Sequence, residues 1–263
     1  MKDPRALLLV QARMESARLP GKMLLPLAGQ PMVLHVLDRL SRCQRTTYPI
    51  LLSAHTDENY NLVQVAHNHG HAAGRPVCDS DDVLSRFWIG HHTYATEPGI
   101  PIVRVTGDCP LIDPDVIDSL VSAFMSSNYD YMSLGPSWPD GLDVEIFTWE
   151  ALNTAFIATQ GNDREHVTPY IYKSSLFRCG QLDCPFDLTN QRWCVDNMHD
   201  YLFVSRVFDL LFPRKPEFGW RDVWATVLEY NLDLAYPNRE KRNEGYLKQA
   251  GITVTWEEFR FNM

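Results

Sequence analysis

The apolar run Leu7-Leu8-Leu9-Val10 breaks off into Gln11-Ala12-Arg13-Met14-Glu15-Ser16-Ala17-Arg18-Leu19-Pro20-Gly21-Lys22, and no other stretch constrains the fold as tightly. A segment of strand length gives way to a loop carrying three cations, a serine, a proline and a glycine. Between Pro31 and Cys43, Val33, Leu34, Val36, Leu37 and Leu40 then recur at helical spacing. Strand, basic loop and helix in that order is how open α/β sheets build phosphate sites at the carboxyl ends of their strands. The loop is not a P-loop, which needs a glycine five residues before its Gly-Lys and a Ser or Thr after it. Here Ser16 precedes, Met23 follows, and no G-x-G-x-x-G is present. Phosphate has to be held by another design.

The chain of 263 residues suits one large α/β domain, residues 1–263, with a C-terminal helical segment from about 199 packed on it. A 45% hydrophobic and 22% charged composition is that of a globular chain with a substantial core. No segment has the uninterrupted apolar length of a membrane span, and the N-terminus has no signal-peptide pattern, so a cytoplasmic protein without membrane association is expected. Six cysteines (Cys43, Cys78, Cys109, Cys179, Cys184, Cys194) lack zinc-ligand spacing and read as reduced structural thiols. A formal charge of −9 argues against nucleic acid as a partner. An acidic protein that binds a nucleotide must concentrate its cations locally, as Arg13, Arg18 and Lys22 do.

Strand and helix signals alternate over the first two thirds. Strands are expected over 48–54 and 101–106, and helices over 58–69, 81–94 and from Asp113-Pro114, whose Asp-Pro pair is a helix start. Later strand candidates at 129–133, 142–147, 176–182 and 192–195 follow with fewer helices between them. This predicts a three-layer α/β sandwich whose sheet is mixed but mostly parallel. A last segment, 252–256, is read as packed on the same domain. His67, His69 and His71 alternate, but Gly70 signals a helix end, and surface histidines are expected rather than a metal site.

The chemistry concentrates at strand ends. Asp108 follows the strand Ile102-Val103-Arg104-Val105-Thr106 directly after Gly107, at the sheet edge where open α/β folds place ligands. A hard carboxylate there suits Mg²⁺, although a Gly-Asp pair also marks an ordinary turn. Asp196 ends the segment 192–195, with the alternative that Asp196 or Asn197 only caps the next helix. Arg18 reads as a further phosphate clamp or as an ion pair with Glu15. Cys109, beside Asp108, has no base partner and is not expected to act as a nucleophile.

These residues, in this order, resemble the cytidylyltransferases of acidic sugars. That group includes the 3-deoxy-manno-octulosonate and acylneuraminate enzymes, with the SpsF-like spore-coat-polysaccharide branch the nearest. The resemblance runs through Ala12-Arg13, Ser16-Ala17-Arg18, Leu19-Pro20-Gly21-Lys22 and Leu27-Ala28-Gly29-Gln30-Pro31-Met32. It continues in Gly107-Asp108-Cys109-Pro110 and in Val195-Asp196-Asn197-Met198-His199-Asp200, where Asn197 stands for the group's threonine. Two blocks of the branch also recur, Pro139-Asp140-Gly141-Leu142-Asp143-Val144-Glu145 and Arg164-Glu165-His166-Val167-Thr168-Pro169-Tyr170. The branch's Gly-Ser-Glu before Asp81-Asp82-Val83-Leu84 is replaced by Cys78-Asp79-Ser80, in the region that reads the base.

The resemblance implies a nucleotidyltransferase fold of nucleotide-diphospho-sugar transferase type, a homodimer, and a reaction of CTP with a sugar acid. It implies catalytic roles for Arg13, Lys22 and Asp108 and an Mg²⁺ held by Asp108 and Asp196. Nucleotide contacts are expected from Gln11, Ala12, Arg13, Arg18, Lys22, Asp79, Ser80 and Thr106. Substrate contacts are expected from Asp140, Asp143, Glu145, Arg164, Glu165 and His166. Arg164 with Glu145 or Asp143 is alternatively a structural ion pair. Other acceptors (a sugar 1-phosphate or phosphonate) and a non-catalytic nucleotide-binding partner stay open as readings.

Overall fold

Leu7, Leu8, Leu9 and Val10 are wholly buried, and that dictates where their strand must lie. A strand apolar on both faces belongs in the middle of a sheet covered on both sides. In a computed structural model, which describes residues 5–161 and 163–237, β1 (Leu7–Gln11) is flanked in parallel by β4 (Ile50–Leu52) and β6 (Ile102–Thr106). A short hairpin of β2 (Pro26–Leu27) and β3 (Gln30–Pro31) stands apart. The main sheet is completed by β5 (Ala72–Gly74), β7 (Tyr131–Leu134), β8 (Val144–Phe147) and β9 (Cys179–Leu182). Its order is β5-β4-β1-β6-β8-β7-β9, and β8 alone runs antiparallel to its neighbours. The sheet is mixed and mostly parallel, as the sequence predicts.

The period of two along β1 separates the helical layers. Leu8 and Val10 face a core shared with α1 (Met32–Leu40), α2 (Glu58–Asn68), α4 (Pro114–Met125), α8 (Met198–Leu211) and α9 (Trp220–Glu229). Leu7 and Leu9 face the opposite core, with Leu84 and Phe87 of α3 (Val83–Tyr94) and Leu152 of α5 (Trp149–Ala158). Truncating Leu9 to Ala would cost about 2–5 kcal/mol, since a wholly enclosed site cannot collapse around the cavity. The short helices α6 (Asp163–His166), α7 (Pro169–Lys173) and α10 (Leu232–Ala235) complete the description. Among the described residues no helix is long and apolar enough to cross a membrane. The six cysteines are free thiols.

Side-chain capping sets the starts of α3, α4, α5 and α8. Asp113 caps α4 by accepting from Asp115 N at 2.8 Å, and Pro114 follows it, as the Asp-Pro pair predicts. The helix expected from 81 begins instead at Val83, because Asp82 is its cap, accepting from Ser85 N at 2.9 Å. Three expectations are corrected. The strands are shorter than their sequence windows, three helices (α5, α6 and α7) separate β8 from β9, and 192–195 is not a strand. That last segment is extended, but its neighbours are loops. Asp140 bridges Arg192, and Val195 N donates to Asp108 O at 2.8 Å, so no ladder forms. The segment 252–256, and the C-terminal part of the helical region expected from 199, lie outside the described residues.

Candidate active site

β1 and β6 end side by side, Gln11 opposite Thr106, and the chain turns at Gly107. Gly107 N donates to Gln11 O at 2.8 Å, and a Cβ there would stand 2.7 Å from the Ala12 Cβ. Only glycine allows this approach, which sets Asp108 against the basic loop. The loop closes on itself through Gly21 N to Met14 O at 3.0 Å and Lys22 N to Leu19 O at 3.2 Å, burying the Lys22 side chain.

Lys22 Nζ donates to Asp108 Oδ2 at 2.9 Å, to Asp196 Oδ1 at 2.9 Å and to the Val195 carbonyl at 2.7 Å. Three acceptors match the three hydrogens of an ammonium. Burial disfavours the charged amine, but Asp108 and then Asp196 outweigh it and hold the Lys22 pKa above its ordinary value. Burial likewise opposes ionisation of Asp108, and Lys22 overcomes it, holding that carboxyl below its ordinary value. The Val195-to-Asp108 backbone bond brings the two carboxylates together across the sequence. Asp196 Oδ2 also accepts from Arg18 Nη2 at 2.9 Å and Arg192 Nη2 at 2.7 Å. Asn197, not Asp196, is the cap of α8, accepting from His199 N at 2.8 Å and Asp200 N at 3.0 Å.

A cavity of about 1020 Å³ opens beside this cluster. Sequence-predicted residues on its walls are Arg18, Thr106, Asp108, Asp140, Asp143, Glu145, His166 and Asp196. Its floor is one face of the sheet. There Arg104 of β6 lies opposite Glu145 of β8, which lies opposite Ser133 of β7. Glu145 accepts from Arg104 Nη1, from Tyr131 Oη at 2.6 Å and from Thr168 Oγ1 at 2.7 Å. Arg104 Nε donates to Gln11 Oε1 at 3.0 Å, while its Nη2 has no partner among the described residues. Arg192, almost wholly buried, pairs with Asp140 and Asp200 as well as Asp196. Arg104, Arg192, Tyr131 and Thr168 were not anticipated. A lone arginine within an apolar strand was the one available signal.

The remaining predicted residues stand elsewhere. Arg13 pairs with Asp81 at 2.8 Å and Glu165 at 2.9 Å. Asp79 and Ser80 precede Asp81, where the Ser80 carbonyl accepts from Arg86 Nη2 at 2.7 Å. Glu15 accepts from Asn59 at 2.8 Å and Thr56 at 2.7 Å. Arg164 does not meet Asp143 or Glu145. It bonds Asp82 at 3.0 Å, Ser85 Oγ at 2.8 Å and the carbonyls of Phe156 and Thr159 at 3.0 and 2.9 Å. Arg164 therefore stands outside the cavity wall, and the alternative ion pair with Glu145 or Asp143 does not form. Helix α6 has four residues, so Arg164, Glu165 and His166 leave it in three directions. Val167, between the cavity residues His166 and Thr168, is buried at φ +68°, a strained conformation for a β-branched residue. Burial and then Asp108 push the Cys109 thiol well up, which removes it as a nucleophile.

The carboxylate pair meets the requirements of a hard divalent cation. Both side chains offer oxygens only, and both already lie 2.9 Å from one shared cationic atom.

A family model described as a cytidylyltransferase matches residues 7–249. An uncharacterized protein of Methanocaldococcus jannaschii is 34% identical over 210 residues, 77% of this chain and 84% of that one. The spore coat polysaccharide biosynthesis protein SpsF of Bacillus subtilis is 29% identical over 238 residues, covering 87% and 96% of the two chains. A 3-deoxy-manno-octulosonate cytidylyltransferase of Mesorhizobium japonicum is 31% identical over 132 residues, 49% of this chain and 52% of its own. Among solved structures, a cytidylyltransferase from Leptospira borgpetersenii superposes with a TM-score of 0.81 at 24% identity, covering 90% of this chain and 99% of that one. That last likeness establishes the fold.

Proposed function

The chain belongs to the cytidylyltransferase family, and from that premise we propose that it couples CTP to a sugar acid, giving a CMP-sugar and pyrophosphate for glycan assembly. An acceptor hydroxyl attacks the α-phosphorus in line and loses its proton to solvent. The new oxygen–phosphorus bond forms as the bond to the β-phosphate oxygen breaks, and pyrophosphate leaves. Such a transfer asks the protein mainly for positioning and for charge at the developing anion.

The observation that carries this reading is Lys22, locked by two carboxylates from distant parts of the chain, both of which line the cavity. Lys22, Arg13 and Arg18 are its triphosphate clamps, each held by carboxylates that the anionic phosphates replace. Gln11, Ala12, Asp79, Ser80 and Thr106 frame the nucleotide. Asp108 and Asp196 would hold Mg²⁺, which when bound would neutralise charge on the phosphates. The sugar acid occupies the cavity, with Asp140, Asp143, Glu145 and His166 taking its hydroxyls. Arg104, with its spare Nη2 on the cavity floor, takes the carboxylate in place of Arg164. On this reading residues 1–263 form one catalytic unit that works in the cytoplasm as a homodimer.

Thermal shift with CTP, UTP, ATP and GTP in the presence of Mg²⁺, followed by a pyrophosphate-release screen of sugar acids, tests the proposal. CTP should stabilise most, and release should require an acid. Equal shifts for all four nucleotides would remove the base assignment. Release with sugar 1-phosphates alone would move the acceptor class, and binding without release would indicate a non-catalytic partner.

A further inference from the structure

We propose that Asp38, His69 and His71 form a second metal site, built for one divalent transition ion of the zinc class. None of these residues lines the active-site cavity. Asp38 projects from α1, while the histidines lie on the turn that joins α2 to β5. Alternating residues would diverge on a helix, and it is Gly70 that brings them together. At φ +88° it reverses the chain, donating to His67 O at 2.9 Å, and the rings of His69 and His71 stack with centroids 5.6 Å apart.

Both imidazoles then present Nε2 to the same carboxylate, His71 to Oδ1 at 2.9 Å and His69 to Oδ2 at 3.4 Å. One ligand atom from each residue lies within 4.8 Å of the other two. Around a tetrahedral ion with bonds of about 2.0–2.1 Å, neighbouring ligand atoms are roughly 3.3 Å apart. With one atom from each residue already within 4.8 Å of the other two, small side-chain rotations bring the three to that spacing. An ion would replace the Nε2 protons, leaving each ring protonated at Nδ1. Gln30 Nε2 donates to Asp38 Oδ2 at 2.8 Å, the outer hydrogen bond that orients a ligating carboxylate. His67 is turned aside, bonded to Ala73 O at 3.1 Å, so three protein ligands leave a fourth position to water.

The donor set separates this site from the catalytic one. Two imidazoles and a carboxylate suit zinc, cobalt or nickel, whereas the oxygens of Asp108 and Asp196 suit magnesium. A bound ion would tie α1 to the α2–β5 turn and stabilise the fold by linkage.

The test is calorimetric titration of the metal-free full-length protein with Zn²⁺ and absorption spectroscopy with Co²⁺. We expect one equivalent to bind, visible cobalt bands without a thiolate charge-transfer band, and a rise in Tm. His71→Ala and His69→Ala should each weaken binding at least tenfold, and Asp38→Asn, which keeps the side-chain shape, should do the same. His199→Ala, on exposed surface, should change nothing. Absence of stoichiometric binding, a thiolate band, or equal affinity in the His69→Ala/His71→Ala double variant would overturn the proposal.

Discussion

Lys22 and Asp108 share a 2.9 Å contact within which the ammonium holds the place between two carboxylates that a divalent cation would take. Lys22 is thus the counter-ion of both carboxylates, and on the proposed function it becomes a phosphate clamp when nucleotide and metal draw it away. Removing one partner of such a pair leaves an uncompensated charge. Lys22→Met should lower turnover about 10²-fold or more at saturating CTP and make Tm depend on Mg²⁺ more strongly than in the wild type. Pyrophosphate release and melting curves with and without Mg²⁺ read both effects. Wild-type rates would leave Lys22 a structural counter-ion to Asp108 and Asp196 with no part in turnover.

Asp108 and Asp196 should behave as one unit. Asp108→Asn and Asp196→Asn should each abolish Mg²⁺-dependent turnover, and the double variant should be scarcely slower than either. The two singles should differ in stability, because Asp196 also pairs with Arg18 and Arg192. If the Asp196→Asn enzyme keeps its rate, the metal has other ligands, with Asp143 or Glu145 next to be tried.

Acid should destabilise the fold through His35. Its ring is buried beside Phe208 and Phe212, 2.6 Å from Leu27 O. Burial outweighs that hydrogen bond and lowers its pKa from 6.5. The unfolded chain then takes up a proton at pH values where the folded chain does not, so stability is full above 6.5 and declines as pH falls through the folded pKa. His91, lowered by burial in the same direction, adds to the decline. Urea melts between about pH 7 and about pH 5.5 should show it, and His35→Gln should flatten the slope. An unchanged slope in that variant would assign the acid sensitivity elsewhere.

The sequence made the sheet's centre and one half of the site readable. Leu7 to Val10 reads as a strand from its unbroken apolar run, and Gly107-Asp108 directly after the strand at 102–106 reads as a ligand site at the sheet's carboxyl edge. Long-range partners were less accessible. Arg192 to Val195 has strand composition, but its neighbours are loops 52 and 87 residues away in sequence, and a ladder needs at least one neighbouring strand. Arg104 lies within the strand at 102–106, and its partner Glu145 comes from β8, 41 residues away in sequence. Arg164 sits in a single helical turn whose rotation no periodicity defines.

Moving the substrate contact expected of Arg164 onto Arg104 yields the sharpest contrast. Arg104 lines the cavity with a spare donor, whereas each donor nitrogen of Arg164 is already engaged, by Asp82, Ser85 or a backbone carbonyl. Arg104→Gln should therefore raise KM for the acid at least about tenfold while leaving KM for CTP near the wild type, because a lost charge-assisted hydrogen bond to a carboxylate weakens only that substrate. Arg164→Met should leave both constants alone and cost about 1–3 kcal/mol of stability, since it strips hydrogen bonds from two carbonyls and a carboxylate. Steady-state kinetics with each substrate varied in turn, together with urea melts, separate the two outcomes. If Arg164→Met raises KM for the acid and Arg104→Gln does not, the carboxylate lies on the α3–α6 side and the cavity floor serves another part of the substrate.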